Sequence, residues 1–371
     1  MRTQTGNAAL IEVIRSEIRN RGPQPFAWFM KQALYHSEHG YYSSGRCAIG
    51  RKGDYFTNVS VGPLFGQLMT AQFAEIWAQL GKIDNFVIVE QGANDGQFAR
   101  DVLEAAQSRA PEFFEALDYQ IIEPFPILRE RQSQILEPFR NKTEWRESLE
   151  PFTGVHFSNE LLDAMPVCLI SGNTEKLVGL QGERFVFVER PLPNTAFNQS
   201  ALDWIDNLAA NLQRGYVIAI DYGHSGDEFQ RDVQVRAHHR HLDSPFEQIG
   251  HADITMHVDW TSIIHRAEAD GLRLAGFVDQ HHFLTGVIST WPDLLQTRSS
   301  NSSALSPRVK TVDADRKTKR ALQTLLHPEM LGRAFQVIAL AKNVDHDAPQ
   351  MAGLKFAREP GSQLGLKKPN Q

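Results

Sequence analysis

Cysteine is scarce. The chain of 371 residues carries two, Cys47 and Cys168, without the paired spacing that zinc sites and disulfide frameworks show. That usage fits a reducing compartment. Positive charge is also in deficit: 38 Lys and Arg against 44 Asp and Glu give a formal net charge of -6, so no global field draws nucleic acid or an anionic membrane to the surface. No apolar run approaches the roughly 20 residues that span a bilayer. Two phosphate-binding signatures are missing as well. The sequence has no G-x-x-x-x-G-K-[ST], and its one Gly-rich strand-to-helix turn is not a complete G-x-G-x-x-G, which argues against ATP and dinucleotides. The first residues, "NAALIEVIRSEIRNRG", place Leu10, Ile11, Val13, Ile14 and Ile18 at helical spacing with Glu12, Arg15, Glu17 and Arg19 between them. A secretory signal needs an uninterrupted apolar stretch and a mitochondrial transit peptide avoids acids. The expectation is therefore a cytoplasmic protein.

What is present is enough apolar material, 42% of the chain, for a substantial core. From Phe86 onward strands and helices alternate: "FVIVE", a helix over 98–108, "YQIIE", a helix over 126–136, "VHFSNE" and "GYVIAIDYG". Such alternation predicts an α/β fold with a doubly wound, mostly parallel sheet. Short β-rich runs, "CLISG", "EKLVGL" and "RFVFVE", predict an inserted antiparallel element at about 167–192. The expected organisation is an N-terminal helical and loop extension over 1–82, a main domain over 83–343 and a polar, flexible tail over 344–371.

The stretch "FVIVEQGANDGQF" (86–98) raises the first functional question. In open parallel sheets, ligands sit outside the carboxyl ends of the strands, where the N–H groups of a helix start point outward. Asn94 and Gln97 occupy positions where a dinucleotide loop has glycines. A sulfonium cofactor such as S-adenosylmethionine has no phosphates and needs fewer. Glu90, at the first strand tip, can hold its ammonium end. Glu123, at the tip of "YQIIE", stands where an acid would bridge two ribose hydroxyls. The plainer alternative is that both acids are solvated strand ends and the glycines only close turns.

Seven segments, "ALYHSEHGYY", "IGRKGDYFTN", "VEQGANDGQFARDVL", "NELLDAMP", "AIDYGH", "GHADITMHVDW" and "HPEMLGRAFQVIAL", occur in an order that resembles the MidA / NDUFAF7-type family of class I S-adenosylmethionine-dependent methyltransferases. Mitochondrial members of that family methylate an arginine of a respiratory complex I subunit during assembly. The family loop resembles V-E-L-G-P-G-R-G, so Gly92 and Gly96 match, Asn94 replaces the central glycine and Asp95 replaces the frequent Arg. The resemblance implies S-adenosylmethionine held by Glu90, Gly92, Asn94, Gly96, Glu123, Asn159 and Thr57. It implies a protein substrate, a complex I subunit, with no nucleic acid and no membrane insertion.

Methyl transfer from a sulfonium is an in-line displacement governed by placement. A guanidinium acceptor calls for carboxylates that grip it and accept its proton. Glu160 and Asp163 in "SNELLDAMP", Asp221 in "AIDYG" and Asp54 in the loop before Thr57 are the candidates for catalysis. Helix capping by Ser158 or Asn159 and a turn-forming role for Asp221 are the structural alternatives. The loop around Gly53 and Asp54 reads as a lid carrying Tyr55 and Phe56. The histidines between 238 and 257 have loose spacing and no cysteine, so no metal is expected; Asp253 reads as the cap of the following helix, and His257 and Asp259 as part of the acceptor channel or packed beneath it. Rival readings are a small-molecule N- or O-methyltransferase and a non-catalytic assembly factor that keeps the fold.

Overall fold

The computed structural model describes residues 5–45, 57–192, 196–225, 233–238, 240–291, 307–345 and 347–357, with 307–315 described by backbone only. The expected lid residues Gly53 to Phe56, and with them Asp54, lie outside the described residues.

Five parallel strands form the heart of the sheet: β1 (Phe86–Gln91), β2 (Leu117–Ile122), β3 (Thr143–Arg146), β4 (Phe152–Asn159) and β8 (Leu212–His224). Two more, β11 (Arg273–Asp279) and β12 (Phe335–Lys342), extend it, with β12 antiparallel to both of its neighbours, and the two-residue strand Val258–Asp259 pairs parallel with the end of β8. The order is β3-β2-β1-β4-β8-β12-β11. The chain therefore winds outward from β1 in one direction through β2 and β3, then resumes on the other side of β1 with β4. That reversal creates a crevice at the carboxyl ends of β1 and β4, where such sheets bind ligands.

Both sheet faces are covered, which explains why the strands read as near-continuous apolar runs. One face packs on α3 (Leu64–Gln79), α4 (Gln97–Arg109) and α8 (Gln280–Thr290); the other packs on α6 (Gln199–Asn211) and α7 (Trp260–Ala269). In α4 the buried Phe98, Ala99, Val102, Leu103 and Ala106 recur at helical spacing and make one apolar stripe. A third core joins α1 (Ala8–Arg21) and α2 (Phe26–Tyr35) to the inserted element. That element is an antiparallel meander of β5 (Leu169–Ser171), β6 (Thr174–Gln181) and β7 (Arg184–Pro191), and β6 also pairs with Gln24–Pro25. The segment 1–82 thus divides: α1 and α2 belong to the meander's core, α3 to the sheet.

Three local expectations change. Asp253 does not cap a helix; it opens β10 (Asp253–Met256), paired with β9 (Val233–Ala237), and Asp259 caps α7 by accepting from the Ser262 N–H. No helix follows Asn159, so the capping alternative for the "SNELLDAMP" acids has no helix to cap. The stretch after 344 is not all polar fringe: Met351, Ala352 and Leu354 are buried. Glu75 of α3 accepts from the Ala352 N–H at 3.0 Å and Gln72 accepts from the Gly353 N–H at 2.8 Å. Among the described residues no helix is long and apolar enough to cross a membrane.

Candidate active site

A cleft of about 540 Å³ opens at the switch in strand order. Its walls come from the turn after β1, the tip of β2, the turn after β4, and Tyr35, Tyr42, Thr57, Val59 and Ser60 of the N-terminal part. Five carboxylates line it, those of Glu90, Asp95, Glu123, Glu147 and Glu160, and no Lys, Arg or His does so among the described residues. A cationic or hydroxyl-rich ligand suits such a wall.

The turn after β1 is shaped by positive φ at Gly92 (81°), Asn94 (47°) and Gly96 (86°). Asn is among the few non-glycine residues that tolerate this region, so the missing central glycine does not prevent the turn. Gly92 and Asn94 line the cleft. Gly96 does not; it is the N-cap of α4, and a Cβ there would sit 3.3 Å from Gln132. Its role is close packing. Glu90 is buried and accepts a hydrogen bond from the Tyr119 hydroxyl at 2.7 Å. Burial, resisted by that bond and reinforced by Asp95, raises its pKa to about 8.

Glu123 is buried at the tip of β2. One oxygen accepts from the Phe125 N–H at 3.0 Å and the other from the Gln132 amide at 3.1 Å. A carboxylate offers about four lone-pair sites, so two remain for a pair of ribose hydroxyls. Burial raises its pKa as well. Gln132 is a residue that the sequence reading passed over. Fully buried on α5 (Pro126–Ile135), it donates to the Asn94 carbonyl at 2.8 Å and to Glu123, and accepts from the Trp145 indole at 2.9 Å. It fastens the glycine turn to the acid of the second strand. A polar residue on a helix flank carries no sequence signal for such a task.

On the other side of β1, the strand β4 ends at Asn159, and Glu160 adopts φ 55°, a conformation that costs a β-carbon-bearing residue about 1–3 kcal/mol. Asp221 holds the turn in place. Its carboxylate accepts from the Leu162 N–H at 2.8 Å, the Asp163 N–H at 3.2 Å and its neighbour Tyr222 at 2.8 Å, while the Glu160 N–H donates to Ile220 at 2.9 Å. Asn159 donates to Glu160 at 2.8 Å and accepts from the Asn58 amide at 2.8 Å. Burial first, then the charge of Asp221, pushes Glu160 up to about 8 against the Asn159 bond. Asp221 rises to about 7 by burial although backbone donors hold it down. Asp163 is raised by burial and by the charges of Asp221 and Asp253.

The predicted residues are therefore sorted. Glu90, Gly92, Asn94, Glu123, Asn159, Glu160 and Thr57 share one cleft. Asp163 and Asp221 are buried behind it and do not line it. His257 lies outside it, stacked on Tyr222 and touching His224. No group of three or more metal-ligating side chains comes together among the described residues.

A family described as "Putative S-adenosyl-L-methionine-dependent methyltransferase" matches residues 68–201 and 194–278, more than half of the chain. The chain belongs to this methyltransferase family. A crystal structure of a COG1565 superfamily member from Burkholderia thailandensis, bound to S-adenosyl-homocysteine, superposes with a TM-score of 0.81 at 26% identity and covers 95% of this chain and 96% of that one. The Drosophila melanogaster "Protein arginine methyltransferase NDUFAF7 homolog, mitochondrial" is 26% identical across 76% of this chain and 76% of its own length. The human protein of that type is 24% identical across 87% and 81%. S-adenosyl-L-methionine is thus the cofactor of this methyltransferase. One expectation is corrected: a cytoplasmic assignment conflicts with these relatives, which are named mitochondrial.

Proposed function

We propose that the cleft over β1 and β4 seats S-adenosylmethionine and delivers its methyl group to an arginine side chain of a protein, a subunit of the complex I type that the family resemblance implies. The observation that carries this reading is the make-up of the wall: five carboxyl groups, of which Glu147 pairs with Arg129 at 3.1 Å, and no cationic side chain lining the cleft among the described residues. A sulfonium and a guanidinium are both cations, and each needs acids to approach it in a partly dry site. Glu123 takes the ribose hydroxyls, Glu90 faces the ammonium end and the Gly92 to Gly96 turn supports the cofactor. Glu160 grips the acceptor. The guanidinium nitrogen attacks the methyl carbon, the carbon–sulfur bond breaks with its electrons left on sulfur, and the nitrogen's proton passes to Glu160. A carboxyl with a pKa of about 8 is a matched proton acceptor near neutrality. Asp163 and Asp221 act from behind as positioning residues. The names of the relatives support the arginine acceptor.

The test uses methyl-labelled cofactor, the purified protein and lysate protein or small-molecule fractions from the same source. Label in protein, located on arginine after hydrolysis, is the expected outcome; label only in small molecules overturns the protein acceptor. Glu160→Gln should leave S-adenosylhomocysteine affinity within twofold and lower turnover by about 10²-fold or more, the scale of a lost general base. Unchanged turnover would remove Glu160 from the chemistry.

A further inference from the structure

The cofactor's amino-acid end carries a carboxylate, and a cleft walled by five acids has to hold it without a cation from the described residues. Among the described residues the donors of the wall are neutral. Most donor side chains of the wall are already engaged. The Tyr35 hydroxyl donates to the Ala164 carbonyl, that of Tyr42 to Asp253 and that of Ser60 to the Thr57 carbonyl. Gln97 and Asn159 each direct an amide hydrogen to an acid.

Gln91 differs. Its carboxamide oxygen accepts from the Trp204 indole and from His156, each at 2.8 Å. An indole N–H can only donate, so the oxygen is the end that faces Trp204, and the His156 contact then requires a proton on Nε2. His156 is fully buried, is held neutral by burial with a pKa of about 3 and has no partner on Nδ1, which fits that tautomer. With the oxygen fixed by two donors, the amide nitrogen is aimed the other way. Among the described residues it has no hydrogen-bond partner and it is not an enclosed atom, and Gln91 lines the cleft. Asn94 also has an uncommitted amide, but nothing locks its orientation.

We propose that Gln91, oriented by Trp204 and His156, is a specificity-determining residue whose amide N–H groups bind the carboxylate of the cofactor's amino-acid end. The proposal rests on the seating of the cofactor in this cleft. A donor pair fixed in advance loses little freedom on binding, and a carboxylate gains charge-assisted bonds from it.

Calorimetric titration with two compounds tests it: S-adenosylhomocysteine, which has the amino-acid end, and 5′-methylthioadenosine, which lacks it. Gln91→Glu keeps an acceptor for Trp204 and His156 and removes the donor pair. At pH 8 it should weaken S-adenosylhomocysteine about tenfold or more and leave methylthioadenosine within twofold. Trp204→Phe, which frees the amide while keeping an aromatic ring, should give a smaller loss with the same selectivity. Equal loss for both compounds, or no loss for either, overturns the assignment. If the unmodified protein binds neither compound, the seating of the cofactor falls and the role of Gln91 falls with it. Binding of both by the unmodified protein with an insensitive Gln91 variant overturns Gln91 alone.

Discussion

The two turns that flank the switch point are built by opposite means. The turn after β1 is relaxed by two glycines and an asparagine and fastened by a neutral amide, Gln132, to a carboxylate on the next strand. The turn after β4 forces Glu160, a β-carbon-bearing residue, to φ 55° and is fastened by a buried carboxylate, Asp221. A neutral fastening fixes shape without altering the charge of what it holds. An anionic fastening beneath a carboxyl raises that carboxyl's pKa. One side of the cleft is thus suited to holding a fixed outline, the other to changing protonation during a reaction.

The largest effect should come from the anionic fastening. Asp221→Ala leaves buried N–H groups of Leu162 and Asp163 without an acceptor and should lower stability by about 3 kcal/mol. A shift in the urea midpoint reports it, and a midpoint like that of the parent would show that the turn holds itself. On the neutral side, Glu123→Ala should weaken S-adenosylhomocysteine by roughly 1.5–3 kcal/mol as read by calorimetry, with unchanged affinity removing Glu123 from the ribose.

Acidity separates the two sides less sharply, because Glu90 also has a raised pKa, about 8, through burial. A carboxyl whose folded pKa lies above its unfolded value favours the folded state while protonated. That contribution is complete below the unfolded value of about 4.5 and is lost as pH rises through about 8. Glu90→Gln mimics the neutral form, so it should raise the unfolding free energy at pH 8.5 relative to the parent by on the order of 1–2 kcal/mol, and change little at pH 5. Equal effects at both pH values would sink the burial account. Smallest is Asn94→Gly, which relieves a positive φ of 47° at the cost of a freer unfolded chain. The net change should stay within about 0.5 kcal/mol, and cofactor affinity should hold; a large loss of affinity would mean that the Asn94 side chain touches the ligand.

Elements written in local patterns were legible. Strand tips ending in an acid announced Glu90 and Glu123, and alternation announced the parallel sheet. Contacts made across the fold were not. Gln132 meets Asn94 from 38 positions away and Asp221 meets Leu162 from 59, so neither role appears in any window of neighbours. Asp221 and Asp163 were expected at the mouth because they are acids near strand ends; their place behind the turn follows from the Glu160 conformation, which no propensity favours. The edge strand Thr143–Arg146, "TEWR", has half-buried and exposed positions only and gives no apolar alternation to read.

The short turn at Ala352–Leu354 behaves as a latch on the far side of the molecule. Gly286 and Gly353 allow it to lie so close to α8 that a Cβ at Gly286 would collide with the Ala352 carbonyl, and one at Gly353 with Phe283. Cutting the polypeptide at about residue 345 would strip Gln72 and Glu75 of their N–H donors and wet the Phe283 ring. Trimming this end for crystallisation would thus weaken the helix layer that supports the sheet beneath the catalytic cleft.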